Sequence, residues 1–394
     1  MTIQTPCPCC GHNNFFEVLS FPATPISGFF RKNAEDLLPN RDLIFEACFG
    51  CGLLRNRNFS SPLDYSNRPR PTARQLPDFR DHLLNLISST LDKDDLILEI
   101  GSNDGCFLDF LQSEGFSNIC GVEPSSELVR TSRSKGHRIF SAYFGTDLVG
   151  PLLAHFGPPK LVICRHTLEH VPDPFGFVQA LRDILVPANG VALVEVPDST
   201  AILDGVNFVE LWDEHLFYFT PATMGLIMER NGLQISTQMT FKHLETRNIL
   251  INATLGGGSF REISDTSLTS EANLWKEFSN RFCTLSNQIK KAICTAPKPI
   301  YIIGASHPQS NFVNFLNLGL SVDFMIDDDL AKVGKLPPIN SHCVQIISSD
   351  DFLRHDQGGT LVLTAFGYLN WARQLSDIAL SKGMSIIDPR SFVS

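Results

Sequence analysis

Two groups of residues have types and spacings that can do chemistry. Cys7, Cys10, Cys48 and Cys51 form two Cys-x-x-Cys pairs with 37 residues between them. Each pair can place two thiolates on one tetrahedral zinc ion, and Gly11, Gly50 and Gly52 beside or inside the pairs suit tight knuckles. Four thiolates close the coordination sphere, so the expected zinc is structural. Cys9 is a spare thiol within the first pair. The second group is the run Ile97-Leu98-Glu99-Ile100-Gly101-Ser102-Asn103-Asp104-Gly105, followed 18 residues later by Glu123. Gly101 and Gly105 let the backbone turn tightly and come close to a ligand. Glu99 and Asp104 suit a cationic ligand better than a pyrophosphate, and Glu123 stands where a carboxylate can accept both ribose hydroxyls. The run lacks a full G-x-G-x-x-G pattern, which disfavours a dinucleotide.

The elements around these residues alternate. Apolar strands are expected at 96–100, 118–123, 160–164 and 191–196, with helices at 106–114, 126–135 and 174–185 between them. Gly115 and Gly136 stop the first two helices. A helix near Phe79 precedes this unit, on a face formed by Phe79, Leu83, Leu86 and Ile87, and another spans about 221–231 between Pro221 and Gly232. Continuous apolar strands alternating with helices predict an α/β fold, a parallel sheet covered on both faces. A second, smaller α/β unit is expected late in the chain. It has a long helix at 270–295 and strands at 300–303, 322–327, 361–364 and 384–387. Residues 62–78 carry four prolines and read as a linker. The expected organisation is a zinc-binding domain with its linker at 1–72, a cofactor domain at 73–240 and a C-terminal α/β domain at 241–394.

The chain has 394 residues, 43% hydrophobic and 19% charged, with a formal net charge of -10. That balance is globular and argues against a general nucleic-acid binder, which needs a basic footprint. No apolar run reaches the length of a membrane span and the N-terminus has no signal-peptide pattern, so a cytoplasmic protein is expected. In a reducing compartment the remaining cysteines read as small core residues.

The Glu99–Gly105 turn with Glu123 resembles the cofactor site of class I S-adenosylmethionine (SAM) methyltransferases. The whole order of parts resembles the sugar C-methyltransferases, which act on nucleotide-linked keto-deoxysugars. Three segments support this. Thr167-Leu168-Glu169-His170-Val171-Pro172-Asp173 is similar to the stretch after the fourth strand that brings a histidine to the active site. Glu195-Val196-Pro197 is similar to the end of the fifth strand. Trp212-Asp213-Glu214-His215-Leu216-Phe217-Tyr218-Phe219 is similar to a Tyr-His-Glu-His-x-x-Tyr-Phe block whose Glu-His pair is catalytic. The resemblance implies a central Rossmann-like SAM sheet, a small N-terminal zinc domain and a smaller Rossmann-like C-terminal domain that binds substrate.

Candidate cofactor-binding residues are Glu99, Gly101, Asn103, Asp104, Gly105, Glu123, Phe144 and Arg165. The catalytic candidates are His215, Glu214 and His170. Methylating carbon beside a carbonyl needs a base for the C–H and a donor for the enolate, and histidine, with an ordinary pKa of about 6.5, suits the first task. His215 is the expected base and Glu214 its orienter or a substrate ligand. His170 is expected to donate to the enolate oxygen or to position the sugar. Tyr65, Trp212, Ser306 and Asn311 are the substrate-binding candidates.

The chain departs from the family pattern at Trp212 and Asp213, and in the stretch after the zinc domain, where Tyr65 is the one tyrosine. It departs again at Gly304-Ala305-Ser306-His307-Pro308-Gln309-Ser310-Asn311, where the family carries a lysine. These changes leave the acceptor open. Methyl transfer to oxygen or nitrogen of another small metabolite, and a non-catalytic SAM-binding protein, are the competing readings.

Overall fold

The computed structural model describes residues 6–58, 80–88, 91–243, 246–256, 265–341, 343–355, 358–364 and 369–393. Tyr65 and Phe79 lie outside them. Three strands, β1 (Phe15–Pro25), β2 (Asn40–Cys48) and β3 (Leu54–Asn56), form an antiparallel meander after the first cysteine pair. The central unit follows with β4 (Ile97–Ile100), β5 (Ile119–Val122), β6 (Arg138–Phe140), β7 (Leu161–Arg165) and β8 (Val191–Pro197). Next come the two-residue β9 (Phe217–Tyr218) and the hairpin β10 (Leu233–His243) and β11 (Thr246–Leu255). The C-terminal unit contains β12 (Ile300–Ile303), β13 (Phe324–Ile326), β14 (Gln345–Ile347), β15 (Thr360–Val362) and β16 (Ser385–Ile387).

The central sheet has the order β10-β11-β8-β7-β4-β5-β6. The five strands from β4 to β8 are parallel, and β11 enters antiparallel beside β8. Successive residues of one strand feed opposite cores. Leu98, Ile100, Val122, Val162 and Val194 pack on one face, while Ile97, Ile119, Ile163 and Leu193 pack on the other. Each such aliphatic side chain, fully removed from water, contributes about 1.5–3 kcal/mol. This two-sided burial is why the strands read as unbroken apolar runs. The hairpin carries the sheet to Leu255, past residue 240, where the sequence reading closed the cofactor domain.

The C-terminal sheet is fully parallel, in the order β14-β13-β12-β15-β16. The long helix Asp265–Thr295 packs Trp275, Phe278, Phe282 and Ile289 into a core shared by the N-terminal meander and this sheet. Among the described residues, no helix is long and apolar enough to cross a membrane.

Candidate active site

The cofactor turn is made by positive-φ residues. Gly101, Asn103 and Gly105 adopt φ of 76°, 52° and 80°. A Cβ on Gly101 would run into the Thr167 hydroxyl, so glycine is needed there for close approach as well as for conformation. The Gly101 N–H donates to the Val122 carbonyl at 2.9 Å, pinning the turn to β5. Glu123, at the end of β5, accepts from the Asn103 N–H (3.0 Å) and the Ser125 N–H (2.8 Å). Each carboxylate oxygen is thus oriented.

Glu99 is buried, and burial pushes its carboxyl up to about 8 even though Arg165 pulls the other way. Its Oε2 has no hydrogen-bond partner, and neither do the buried hydroxyls of Ser102 and Ser125. An orphaned buried carboxylate beside a ribose-ready one fits a cationic nucleoside such as SAM. Asp104 is turned to the protein. It accepts from the Cys106 N–H at 3.2 Å and pairs with Lys135 at 3.4 Å. Phe144 is half-buried, edge-on to Phe177 with ring centres 5.1 Å apart.

Arg165 and the segment after β7 form the floor of the site. Arg165 Nε donates to Glu195 Oε2 at 2.5 Å, and its guanidinium lies 4.8 Å over Phe107. His166, at φ 48°, reaches Glu195 at 3.1 Å and Glu169 at 3.5 Å. Its side chain is 43% accessible, yet it is surrounded by protein, as a residue opening onto a cleft is. Burial opposes its charge, but the two carboxylates outweigh it and raise His166 to about 9. Burial likewise opposes the charge on Glu195, and Arg165 and His166 hold that carboxyl down at about 2.

The catalytic candidates converge above this floor. Glu169, His170 and His215 each place a ligand-type atom within 4.8 Å of the others. The buried Glu169 carboxylate has no hydrogen-bond partner among the described residues, and the His166 ring lies beside it at 3.5 Å. His170 Nδ1 donates to the Glu214 carbonyl at 2.8 Å, which fixes its tautomer and leaves Nε2 as the acceptor of the neutral ring. His215 lies 4.8 Å from His170 and 4.9 Å from Trp212, centre to centre. Glu214 is buried. Tyr218 accepts from the Trp212 N–H at 2.6 Å and donates to the Trp212 carbonyl at 3.0 Å, so it braces the loop.

Two strand contacts hold this catalytic segment. The Leu216 N–H donates to the Glu169 carbonyl at 2.8 Å, while the Asn56 N–H donates to the Leu216 carbonyl at 2.9 Å. β9 also pairs with β3, Leu54 opposite Tyr218 and Arg55 opposite Phe217. β3 begins three residues after Cys51, so the cysteine knuckles and the catalytic block share one sheet.

The sulfurs of Cys7, Cys10, Cys48 and Cys51 all lie within 4.8 Å of one another, with Cys7–Cys51 and Cys10–Cys48 at 3.5 Å. Tetrahedral bonds of about 2.3 Å imply sulfur separations of about 3.8 Å, so the four residues fit a zinc ion. Gly11 and Gly52 sit at φ 78° and 73° at the knuckle turns. Crowded sulfurs lower the pKa of Cys7, chiefly through a hydrogen bond from Cys10. Cys9 is fully buried outside this set, and burial raises its thiol.

The substrate candidates divide. Trp212 belongs to the site and stacks on His307 of the C-terminal unit, 4.4 Å apart and 18° from parallel. Ser306 lines a neighbouring cavity, but its hydroxyl bonds Gln309 Oε1 at 2.5 Å. Asn311 is buried and donates to the carbonyls of Val209 (3.1 Å) and Leu211 (2.8 Å), tying the two units together away from the cavity wall. Sequence reasoning did not single out His166, Glu169, Glu195 or His307 as site residues. Glu169 and Glu195 stand in segments quoted for the resemblance, and His166 immediately precedes the first of them; for His307 the one signal is its place in a turn after a strand.

Sheet order, turn and spaced acid together give the central unit the fold of a class I methyltransferase domain. Residues 72–238 match the family model described as a methyltransferase domain. The chain is 26% identical over 239 residues to the C-methyltransferase NovU of Streptomyces niveus. That alignment covers 58% of this chain and 56% of NovU, so it spans little more than half the length of that relative. Among solved structures, a SAM-dependent methyltransferase from Archaeoglobus fulgidus is similar at 16% identity and a TM-score of 0.38, covering 46% of this chain and 95% of that one. The magnesium protoporphyrin IX methyltransferase of Synechocystis with bound SAH is similar at 14% identity and a TM-score of 0.35, covering 48% and 90%. These overlaps are too loose to bear on the site.

Proposed function

We propose that the protein transfers a methyl group from SAM to a carbon next to the carbonyl of a keto-sugar. The observation that carries this reading is the meeting of Glu169, His170 and His215 within 4.8 Å, on a segment whose Thr167 touches the Gly101 turn. SAM, when bound, supplies an electrophilic methyl on a sulfonium. Glu123 would hold its ribose, and Glu99 and the Gly101–Gly105 turn its cationic end.

His215 takes the proton from the acceptor carbon, and the electron pair left behind forms the new C–C bond as the C–S bond breaks. For His170 to donate to the developing enolate, its Nε2 must carry a second proton, with the Glu169 carboxylate beside it to balance that charge. Transfer to oxygen or nitrogen needs no such base at carbon. The NovU likeness supports carbon as the methylated atom.

A second assignment of roles is favoured by one observation. The Nδ1–H bond of His170 fixes the tautomer that carries the lone pair on Nε2, as a base requires. Exchange of the acceptor's acidic C–H with deuterated water, in the absence of SAM, separates the two. Loss of exchange in His215→Ala with retention in His170→Ala supports His215, and the reverse supports His170. Exchange that survives both replacements, or a product methylated on oxygen or nitrogen, rejects the carbon reading.

We infer further that a zinc ion held by Cys7, Cys10, Cys48 and Cys51 is structural. Its role would be to fix β3, and through β9 the catalytic block. Metal analysis that finds less than one zinc per chain in active protein would reject it.

A further inference from the structure

A cavity of about 790 Å³ opens at the carboxyl ends of β12, β13 and β15. That edge is where open α/β sheets bind ligands. It adjoins the methyl-transfer residues through His307, which lines the cavity and stacks on Trp212.

Three features decide what it can hold. The turn after β12 has spent three of its donors. The Gly304 N–H goes to the Ile326 carbonyl (2.7 Å), the Ala305 N–H to Asp327 Oδ2 (3.0 Å) and the Ser306 N–H to Gln309 Oε1 (3.2 Å). Pro308 has none.

Gln309 also fills the turn itself. It is 4% exposed, a methyl on Gly304 would lie 2.9 Å from its Cδ, and its Nε2 donates to the Thr364 carbonyl at 2.8 Å. Its side chain therefore spans from β12 to β15 across the place a phosphate would enter.

The third feature is charge. Glu210, Asp327, Asp328 and Asp329 line the cavity against Lys332 and Arg390. Both cations are already engaged, Lys332 with Asp327 at 3.0 Å and Arg390 with Asp388 at 2.7 Å. His307 adds no charge, because burial lowers its pKa to about 4. A pyrophosphate would meet more carboxyls than cations, Glu210 among them held towards its neutral form by burial, at a turn whose Gly304, Ala305 and Ser306 N–H groups are already bonded, and like-charge contact disfavours such a ligand.

We propose that this cavity takes the part of the acceptor that bears hydroxyl and amine groups and no phosphate, with Gln309 as the residue that shuts phosphate out. The proposal rests on the keto-sugar reading and narrows it to acceptors that are not nucleotide-linked. Carboxylates on the cavity wall would receive hydroxyls and an ammonium, while the Trp212–His307 stack would flank the sugar ring.

Two measurements test it on the zinc-loaded full chain. Titration calorimetry with uridine and adenosine diphosphate should show no binding up to about 1 mM in the wild type. Gln309→Ala, which frees the Ser306 N–H and empties the turn, should bind them at least tenfold more tightly at unchanged SAM affinity. Micromolar binding by the wild type overturns the proposal, and a Gln309→Ala variant no better than wild type removes Gln309 as its cause. In methylation assays, free amino-keto-sugars should exceed their nucleoside-diphosphate-linked forms at least tenfold in kcat/KM. Turnover of the linked forms alone overturns the proposal and leaves carbon methylation standing. Failure to methylate carbon in either form sinks the keto-sugar reading, and the diphosphate titration then judges the cavity by itself.

Discussion

The two parallel sheets carry nearly the same device at their carboxyl edges, and they differ in what has been left unspent. In the central sheet, Gly101 at φ 76° donates to Val122 of the next strand, and Asn103 donates to Glu123 at that strand's end. In the C-terminal sheet, Gly304 at φ 92° donates to Ile326, and Ala305 donates to Asp327. Beyond this the two diverge. The central crevice retains a buried carboxylate oxygen on Glu99 with no partner. The C-terminal crevice has used Gln309 and Lys332 to satisfy its turn and its acid. A glycine turn followed by a strand-end acid therefore says where a ligand can sit, and the surrounding polar ledger says which ligand.

Breaking this comparison starts with the largest effect, which comes from outside both crevices. Stripping zinc with a chelator, or Cys48→Ser, should abolish methyl transfer, because the ion's binding energy is folding energy for the meander that holds β9. Full activity in zinc-free protein would uncouple the knuckles from the site.

His215→Ala should cost about 10²–10⁴-fold in kcat. SAM affinity by calorimetry should stay within about twofold, since no cofactor group is touched. Next come the paired strand-end acids. Glu123→Ala should weaken SAM binding about tenfold or more, for the loss of charge-assisted hydrogen bonds, whereas Asp327→Asn should leave it unchanged. Equal losses in both variants would erase the distinction between the crevices.

The smallest effect is a pH dependence of the SAM-free protein. The pKa of Glu99 rises on folding to about 8. The stability it contributes is full below its unfolded pKa of about 4.5 and is lost as pH rises through 8. His166 acts in the same direction between 6.5 and about 9. Tm should therefore fall between pH 5 and 9. Glu99→Gln should flatten the part below pH 8, and SAM should restore stability at high pH. A Tm that rises over this range contradicts the assignment.

Much of the fold was legible because two-faced burial writes itself into sequence. Ile97–Ile100, Leu161–Arg165 and Ile300–Ile303 are apolar at nearly every position and end in turns. The hairpin β10–β11 escaped notice because Gln234, Ser236, Gln238 and Lys242 make β10 look like a polar connection. Helix Thr146–Phe156 escaped because Pro151 lies inside it and reads as a breaker. Glu123, His170 and His215 were picked out by local motifs, and the fold brings the last two within 4.8 Å of each other. The bond of Asn311 to the 209–211 backbone and the stacking of His307 on Trp212 join residues about a hundred positions apart, and no local pattern encodes them.

The pairing of β3 with β9 also sets an order of assembly. The first cysteine pairs leave the ribosome early, but their sheet lacks its last strand until residues 217 and 218 are made. By then the whole parallel core from β4 to β8 has been synthesised and can already be compact. Closing that long-range pair is thus a late event, with the slow kinetics that distant contacts impose. A newborn chain would therefore have a finished central crevice before β9 docks the Glu214–His215 segment beside it.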